Sequence, residues 1–478
     1  MGRLLNHRVI DAPGSATVTL SRGPVEMAKP FAQAEPVGGF RIFALYAGLA
    51  MLFVRITVLP ELLASLLHVN TYLLYVVGPP ALVGALITGA IGRTLRHRSA
   101  WMWIGFCICM IVALPFSSWK GGSLELVKAY MLFSLPLMFT VGGLAVTWRD
   151  VRATFITIGA AAVFFCGAAS FFAKNENGRA DMESASTTIG NSNDLASQLL
   201  LVIPFLVFIA MDRRRSALIR WSMIVPVSYA LMVILRTQSR GALVALVVSF
   251  LFILLRAQGK QRMVALVIGG MLVVTIPVFL GGNTLGRLET LVGKDDATVS
   301  TDVREEAQAS AQSRSYLLKQ SLIYTLQHPI FGVGPGQFST FEGKSAKLEG
   351  RIGNWHETHN AFTQVSSECG VPAFIFFVLG IVGAFASVSR TYRKARQYRH
   401  TDIANASFCY LLSMVGYLTS IVFLANAYRF YLPAMIGLSI ALSAAAEKEM
   451  AAAGEAPEVG KPVRRNDFVP ARVRLAVR

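Results

Sequence analysis

Charged residues are scarce in this chain. They make up 15% of its 478 residues, while 54% are hydrophobic and the mean hydropathy is +0.52. A soluble domain carries about a quarter charged residues, so the shortage excludes an ordinary soluble globular protein. The apolar runs recur from end to end, which also excludes a soluble enzyme held by a single anchor. Cysteine is sparse too. Cys107, Cys109, Cys166, Cys369 and Cys409 are odd in number and fall inside apolar runs, so buried free thiols are expected, with neither a disulfide framework nor a thiolate metal site. No internal repeat is visible. No removable leader is expected, since the first apolar run begins near Phe40 after a polar tail without a small-residue cleavage site.

Acidic residues are outnumbered, and the net charge is +18. A nucleic-acid partner would gather the Lys and Arg on one face. Here they sit in short clusters between apolar runs, as membrane orientation requires. The expected partners are therefore membrane lipids and no nucleic acid.

The fold class that follows is an all-α polytopic membrane protein with about 12 transmembrane helices and one large loop domain. The apolar spans fall near 42–60, 70–92, 100–117, 125–146, 153–172, 194–211, 221–235, 242–255, 263–281, 361–387, 403–424 and 430–447. Those at 221–235 and 242–255 read as a tight helical hairpin turning at Arg236 to Gly241. The domains are thus a disordered cytoplasmic tail (1–39), nine transmembrane helices (40–281), a loop domain (282–360), three more helices (361–447) and a basic cytoplasmic tail (448–478). With both termini inside, short inner loops hold 17 Lys and Arg and short outer connections hold 6. This puts the long loop outside, in the periplasm of a Gram-negative cell.

The long loop, 79 residues, is the polar exception in an apolar chain. Long loops tend to be functional or disordered. Disorder suits 294–309, whereas Tyr316, Leu317, Leu322, Phe331, Phe338, Phe341 and Trp355 give the rest material to fold with. A helix is predicted over 313–327. Leu318, Leu322 and Leu326 are expected to pack on the membrane domain, Arg314 sharing that face, and His328-Pro329 ends the helix. The glycines at 332, 334 and 336 allow a tight turn or a close approach to a ligand. They are not a nucleotide-binding loop, because no Lys-Ser/Thr follows.

Three outward-facing sites carry chemistry. Arg236-Thr237-Gln238-Ser239-Arg240-Gly241-Ala242 presents two guanidinium forks suited to a phosphate or diphosphate; the alternative is that they snorkel to lipid headgroups. Arg314 heads the loop helix. His356-Glu357-Thr358-His359-Asn360 stands where the chain re-enters the membrane. Its spacing fails the zinc-protease pattern, which would need the second histidine at Asn360, and a third metal ligand is not evident. A histidine near cations suits a general base, being largely neutral at pH 7; a capping or interfacial histidine is the plain alternative. Within the spans, Arg55, Lys128 and Glu368 are costly in lipid and should face protein or water. Glu368 could orient the histidine or an arginine.

Together these residues resemble the bacterial O-antigen ligase and polysaccharide polymerase superfamily. The matching pieces are Gly190-Asn191-Ser192-Asn193-Asp194-Leu195-Ala196, Ser239-Arg240-Gly241-Ala242, Arg314, Pro329 to Phe338, and His359-Asn360 followed by Glu368-Cys369-Gly370-Val371-Pro372. The resemblance implies a glycosyltransferase of the GT-C type in the bacterial inner membrane, with its active site on the periplasmic face. Its donor would be a glycan on undecaprenyl diphosphate, its acceptor lipid A core or a growing glycan, with a protein hydroxyl as a third possibility. It implies no cofactor and no metal. Carried over by motif, Arg240 and Arg314 hold the diphosphate leaving group, and His359 deprotonates the acceptor, inverting the anomeric carbon. Asn191, Asn193, Arg236, His356, Asn360 and Glu368 would bind substrate. The extra Arg236 and the His356-Glu357 pair depart from the pattern and leave open which arginine meets which phosphate. A lipid-linked glycan flippase is the rival from another class, although a transporter more often shows a repeat and midplane charges.

Overall fold

A computed structural model describes residues 38–176, 179–182, 188–256, 262, 301–351 and 355–455. The expected tail before residue 38, the span at 263–281, the loop up to residue 300 and the chain after 455 lie outside the described residues. The rest is helical apart from one short hairpin. In order come α1 (Gly39–Ile56), α2 (Leu59–Leu67), α3 (Leu73–Ile87), α4 (Ala90–Leu95), α5 (Arg98–Ala113), α6 (Lys120–Ala129), α7 (Leu135–Leu144) and α8 (Trp148–Phe172). The antiparallel pair β1 (Lys174–Glu176) and β2 (Arg179–Asp181) follows. Then come α9 (Ser192–Met211), α10 (Ala217–Ser222), α11 (Ile224–Arg236), α12 (Arg240–Arg256), α13 (Thr301–Gln327), α14 (Phe338–Leu348), α15 (Ala361–Gln397), α16 (Thr401–Ile421) and α17 (Tyr431–Glu455).

Among the described residues, seven helical segments are long and apolar enough to cross a membrane: Gly39–Ile56, Arg98–Phe116, Lys120–Leu144, Trp148–Phe172, Ser192–Met211, Ala217–Arg236 and Ala361–Gln397. Four further expected spans coincide with α3, α12, α16 and α17. The first two are short, at 15 and 17 residues. The last two bury serines such as Ser407, Ser413 and Ser439 among their neighbours, which lowers their hydropathy. The observed architecture is an all-α membrane bundle whose span count is set by length and apolarity only where those are clear.

Local sequence explains where the helices start. Thr147 accepts from Asp150 N–H while the Asp150 carboxylate accepts from Thr147 N–H, a capping box that opens α8. Asn191 and Asn360 cap α9 and α15 with their side-chain oxygens. Aromatic rings fill the centre, with Trp103, Phe106 and Phe377 packed on one another at centroid distances of 5.2 to 5.4 Å.

Polar contacts sort the connections into two groups. Arg41 reaches Asp150 at 2.8 Å, Arg93 the Gly143 carbonyl at 2.9 Å, Arg152 Asp212 at 2.5 Å and Arg214 Asp402 at 3.0 Å. In the other group, Ser118 N–H donates to the Val333 carbonyl at 2.9 Å, Ser123 Oγ to the Pro335 carbonyl at 2.8 Å and Asn426 Nδ2 to Asp194 at 2.9 Å. The first group joins the connections around 41, 93, 150, 212 and 402, and the second joins those around 118–123, 194, 333–335 and 426.

Three expectations are corrected. The buried face of α13 carries Leu317, Ser321 and Tyr324, whereas Leu318, Leu322 and Leu326 are exposed. The small Ser321 lets α13 approach α15, where Thr325 Oγ1 meets Ser366 Oγ at 2.9 Å. The loop helix begins at Thr301, ahead of the expected start at 313, so Arg314 lies within it and does not head it; Arg55 and Glu368 turn inward, Arg55 lying 4.7 Å over the Phe430 ring. Finally, α17 continues to Glu455, past the expected end of the last span at 447.

Candidate functional site

The end of the bundle that meets the loop is organised by a break in α15. Gly370 has φ +84°, and a Cβ there would lie 2.2 Å from the Ile330 carbonyl oxygen, so only glycine fits. The break leaves the carbonyls of the preceding turn without helical partners, and the turn after α13 supplies them. Val333 N–H donates to the Ser367 carbonyl and Gly334 N–H to the Glu368 carbonyl, each at 2.9 Å, and Val371 N–H donates back to the Pro329 carbonyl at 2.7 Å. The loop glycines 332, 334 and 336 take φ of +66°, +112° and +71° to make this turn. Of the two uses open to them, the backbone packs against α15 and the 114–123 segment; the Phe116 and Phe331 rings stack at 3.9 Å.

Glu368 completes the junction. It is 3% exposed, and its carboxylate accepts from Gly336 N–H at 2.8 Å and Phe338 N–H at 3.1 Å, with a further hydrogen bond from Tyr428. These bonds assign it to holding the loop, in place of the expected contact with the histidine or an arginine. The loop's own core, Leu317, Tyr324, Val333 and Phe338, packs beside it. Arg351 belongs to the same scaffold through Tyr316 and Glu349.

His359 is set by two neighbours. Thr358 is 2% exposed and donates its hydroxyl to the Asn360 carbonyl at 3.1 Å. Asn360 Oδ1 accepts from Phe362 N–H at 2.9 Å and Thr363 N–H at 3.1 Å. Between them His359 is forced to φ +51°, a left-handed conformation uncommon for a non-glycine residue and enriched at functional sites. Its ring is half-buried and 6.4 Å from that of the exposed His356. Burial, then the Arg314 guanidinium, then His356 push its pKa down to about 4. The imidazole is therefore neutral at any ordinary pH. Among the described residues, no group of three metal-ligating side chains gathers.

Arg314 joins the histidine to the hairpin. It lines a small cleft together with Asn193 from α9, Ser239, Gly241 and Ala242 around the start of α12, and Ser420, Phe423 and Leu424 around the end of α16. Ser239 Oγ accepts from Ala242 N–H at 3.3 Å, so the cleft faces a helix N-terminus, where backbone amides and the helix dipole favour anions. Arg240 is the first residue of α12 and half-buried; Arg236 ends α11 and is exposed. The expected cationic residues and the histidine thus gather at one end of the bundle, with Arg314 acting on both. Asn191 spends its oxygen on the α9 cap and donates to Asp194 at 3.2 Å.

A second polar group was missed by sequence reasoning. Asn426 bonds Asp194, Ala427 N–H donates to Gln364 Oε1 at 3.2 Å, Arg429 donates to Asn426 at 3.4 Å and Tyr431 to Gln198 at 2.6 Å. This wraps the 424–431 segment between α9 and α15. Glu357, exposed, lies within the field of Arg429 and Asp194 in the same group. An asparagine and an arginine in a short connection between apolar runs were the available signal.

The junction gives a first prediction. Glu368→Ala strands two buried amides, which costs about 3 kcal/mol, while Glu368→Gln keeps one acceptor and loses about half of that. Thermal unfolding of the purified variants measures both, and an alanine variant as stable as the parent protein contradicts the clasp.

No curated protein matches the chain. Residues 225–378 match the family model described as O-Antigen ligase. The matched stretch runs from α11 into α15 and contains Arg236, Arg240, Arg314, His356, His359, Asn360 and Glu368, while Asn191, Asn193 and the 424–431 segment lie outside it. The chain is thus a multi-pass membrane helix bundle that is similar, over residues 225–378, to the O-antigen ligase family.

Proposed function

We propose that this protein transfers an oligosaccharide or polysaccharide from undecaprenyl diphosphate to an acceptor hydroxyl at the periplasmic face of the inner membrane. One observation carries the reading: Arg314 lines the cleft at the N-terminus of α12 and its charge also bears on His359. Glycosyl transfer from a lipid diphosphate needs those two functions side by side. Negative charge develops on the leaving diphosphate, where fixed cations and helix amides stabilise it. A proton leaves the attacking hydroxyl, where a neutral imidazole accepts it.

In the proposed step the acceptor oxygen forms a bond to the anomeric carbon as its proton passes to the His359 imidazole. The bond from that carbon to the diphosphate oxygen breaks, and the electron pair leaves on the diphosphate beside Arg314 and Arg240. Arg236 and Asn193 border the same region and are proposed to bind substrate. His356 is proposed to lie along the acceptor path, and the free Nδ2 group of Asn360 to meet the acceptor. A single displacement inverts the anomeric centre, and no metal ion is needed in this scheme. The acceptor is lipid A core, a growing glycan or a protein hydroxyl, and genomic neighbours would tell which. A flippase would need neither the base nor its strained backbone.

Activity of the purified full chain, with lipid-linked donor and acceptor and with chelator present, tests this reading. His359→Ala should lose roughly 10² to 10⁴ in turnover. Arg314→Lys and Arg240→Lys keep the charge but lose the fork, and should insert normally yet transfer poorly. Full turnover in His359→Ala removes it from the mechanism, and loss of parent activity to chelator restores a metal.

The pH profile follows from the same geometry. In the free enzyme His359 titrates near pH 4, so its limb of kcat/KM should fall only as pH drops toward 4, with the imidazole protonated below it. Bound diphosphate offsets Arg314 and favours the imidazolium, so the corresponding limb of kcat should lie higher. A kcat/KM limb at the ordinary histidine value of about 6.5 contradicts the burial and cationic contact described above.

A further inference from the structure

The stripe that was expected to pack on the membrane domain instead faces outward. Leu318, Leu322 and Leu326 are exposed along α13, the last at 81%, and Ile330 continues the spacing at 60%. Such a run of large apolar side chains on one helix face is unusual for a water-exposed surface. It does not end at Ile330. The clasp sets residues 329–330 against Gly370 and Val371. From there Val371, Ile375, Leu379 and Val382 are exposed down α15, a span of high mean hydropathy whose outer face meets acyl chains.

We infer that α13 is seated in the lipid surface, its Leu318–Leu322–Leu326–Ile330 stripe resting among the acyl chains beside the lipid-facing side of α15. Continuity with the α15 face identifies the occupant: lipid that covers Val371 and Ile375 reaches Ile330 without a gap. Two further features fit that depth. Trp119, exposed, lies in the segment that clasps the loop, and tryptophan concentrates at membrane–water interfaces. Lys319 is exposed beside Leu318, where its stem can lie along apolar surface while the ammonium reaches lipid phosphates. An amphipathic helix lying in the interface has this arrangement. The inference stands apart from the transferase reading, since it concerns only where the loop helix rests.

The full-length protein in lipid nanodiscs tests it, with spin labels on Leu322→Cys or Leu326→Cys. Leu379→Cys serves as a lipid reference and Gln312→Cys, exposed nearer the head of α13, as a water reference. The native cysteines are buried or half-buried, and labelled parent protein sets the background. Collision rates with oxygen, which partitions into acyl chains, are compared with those of a water-soluble nickel chelate. At 322 and 326 the oxygen-to-nickel ratio should shift to that of 379. A ratio like that of 312 overturns the inference in favour of a water-exposed face. Suppression of both collisions overturns it in favour of a protein cover, and dipolar broadening then identifies a second copy.

Discussion

The Glu368 carboxylate, with the backbone amides of Gly336 and Phe338 on its two oxygens, is the constraint on which the loop end of the bundle depends. A buried carboxylate is expensive unless its oxygens are filled, and the loop fills them. The bond therefore holds the turn after α13 against the break in α15. Its reach extends to both sides of the proposed chemistry. The turn fixes the C-terminal end of α13 and hence the helix that carries Arg314, while α15 begins at the Asn360 cap, one residue after His359. A carboxylate that touches neither reacting group thus sets where both elements lie.

Electrostatics divide this end of the bundle into two neighbouring regions. Around the start of α12, Arg314 and the first residues of the helix line a cleft. Around the start of α9, Asp194 is met by Asn191, Asn426 and the nearby Arg429. The first is where an anion is proposed to bind; the second ties the segment before α17 to the bundle. His359 lies within the field of the first. Its neutrality comes from burial and a nearby cation, conditions that a bound diphosphate would change directly.

Much of the fold was legible because local rules govern it. Apolar runs placed the helices, the Arg236 to Gly241 turn matches the gap between α11 and α12, and His328-Pro329 ends α13 as proline requires. The packed face of α13 was not legible. Leu317 and Leu318 are adjacent, so helical spacing alone supports either face, and the small Ser321 that admits α15 is not an apolar signal. Asn191 and Asn360 stood out as polar residues before spans; the structure shows that their oxygens cap helices, a role the same residue type signals equally well. Asp194 and Asn426 are 232 residues apart, and no local pattern links them. Glu368 was noticed for the cost of its charge, but its partners are backbone amides whose positions depend on the glycine turn having already formed.

The central claim is a single displacement: one neutral base, one anchored leaving group and no covalent glycosyl–protein intermediate. The anomeric configuration of the newly formed bond tests it most directly. It can be read by nuclear magnetic resonance on product made by the purified protein from a lipid-linked donor of known configuration. The account predicts inversion relative to the donor. Retention would require a protein nucleophile and a second displacement, and would contradict it.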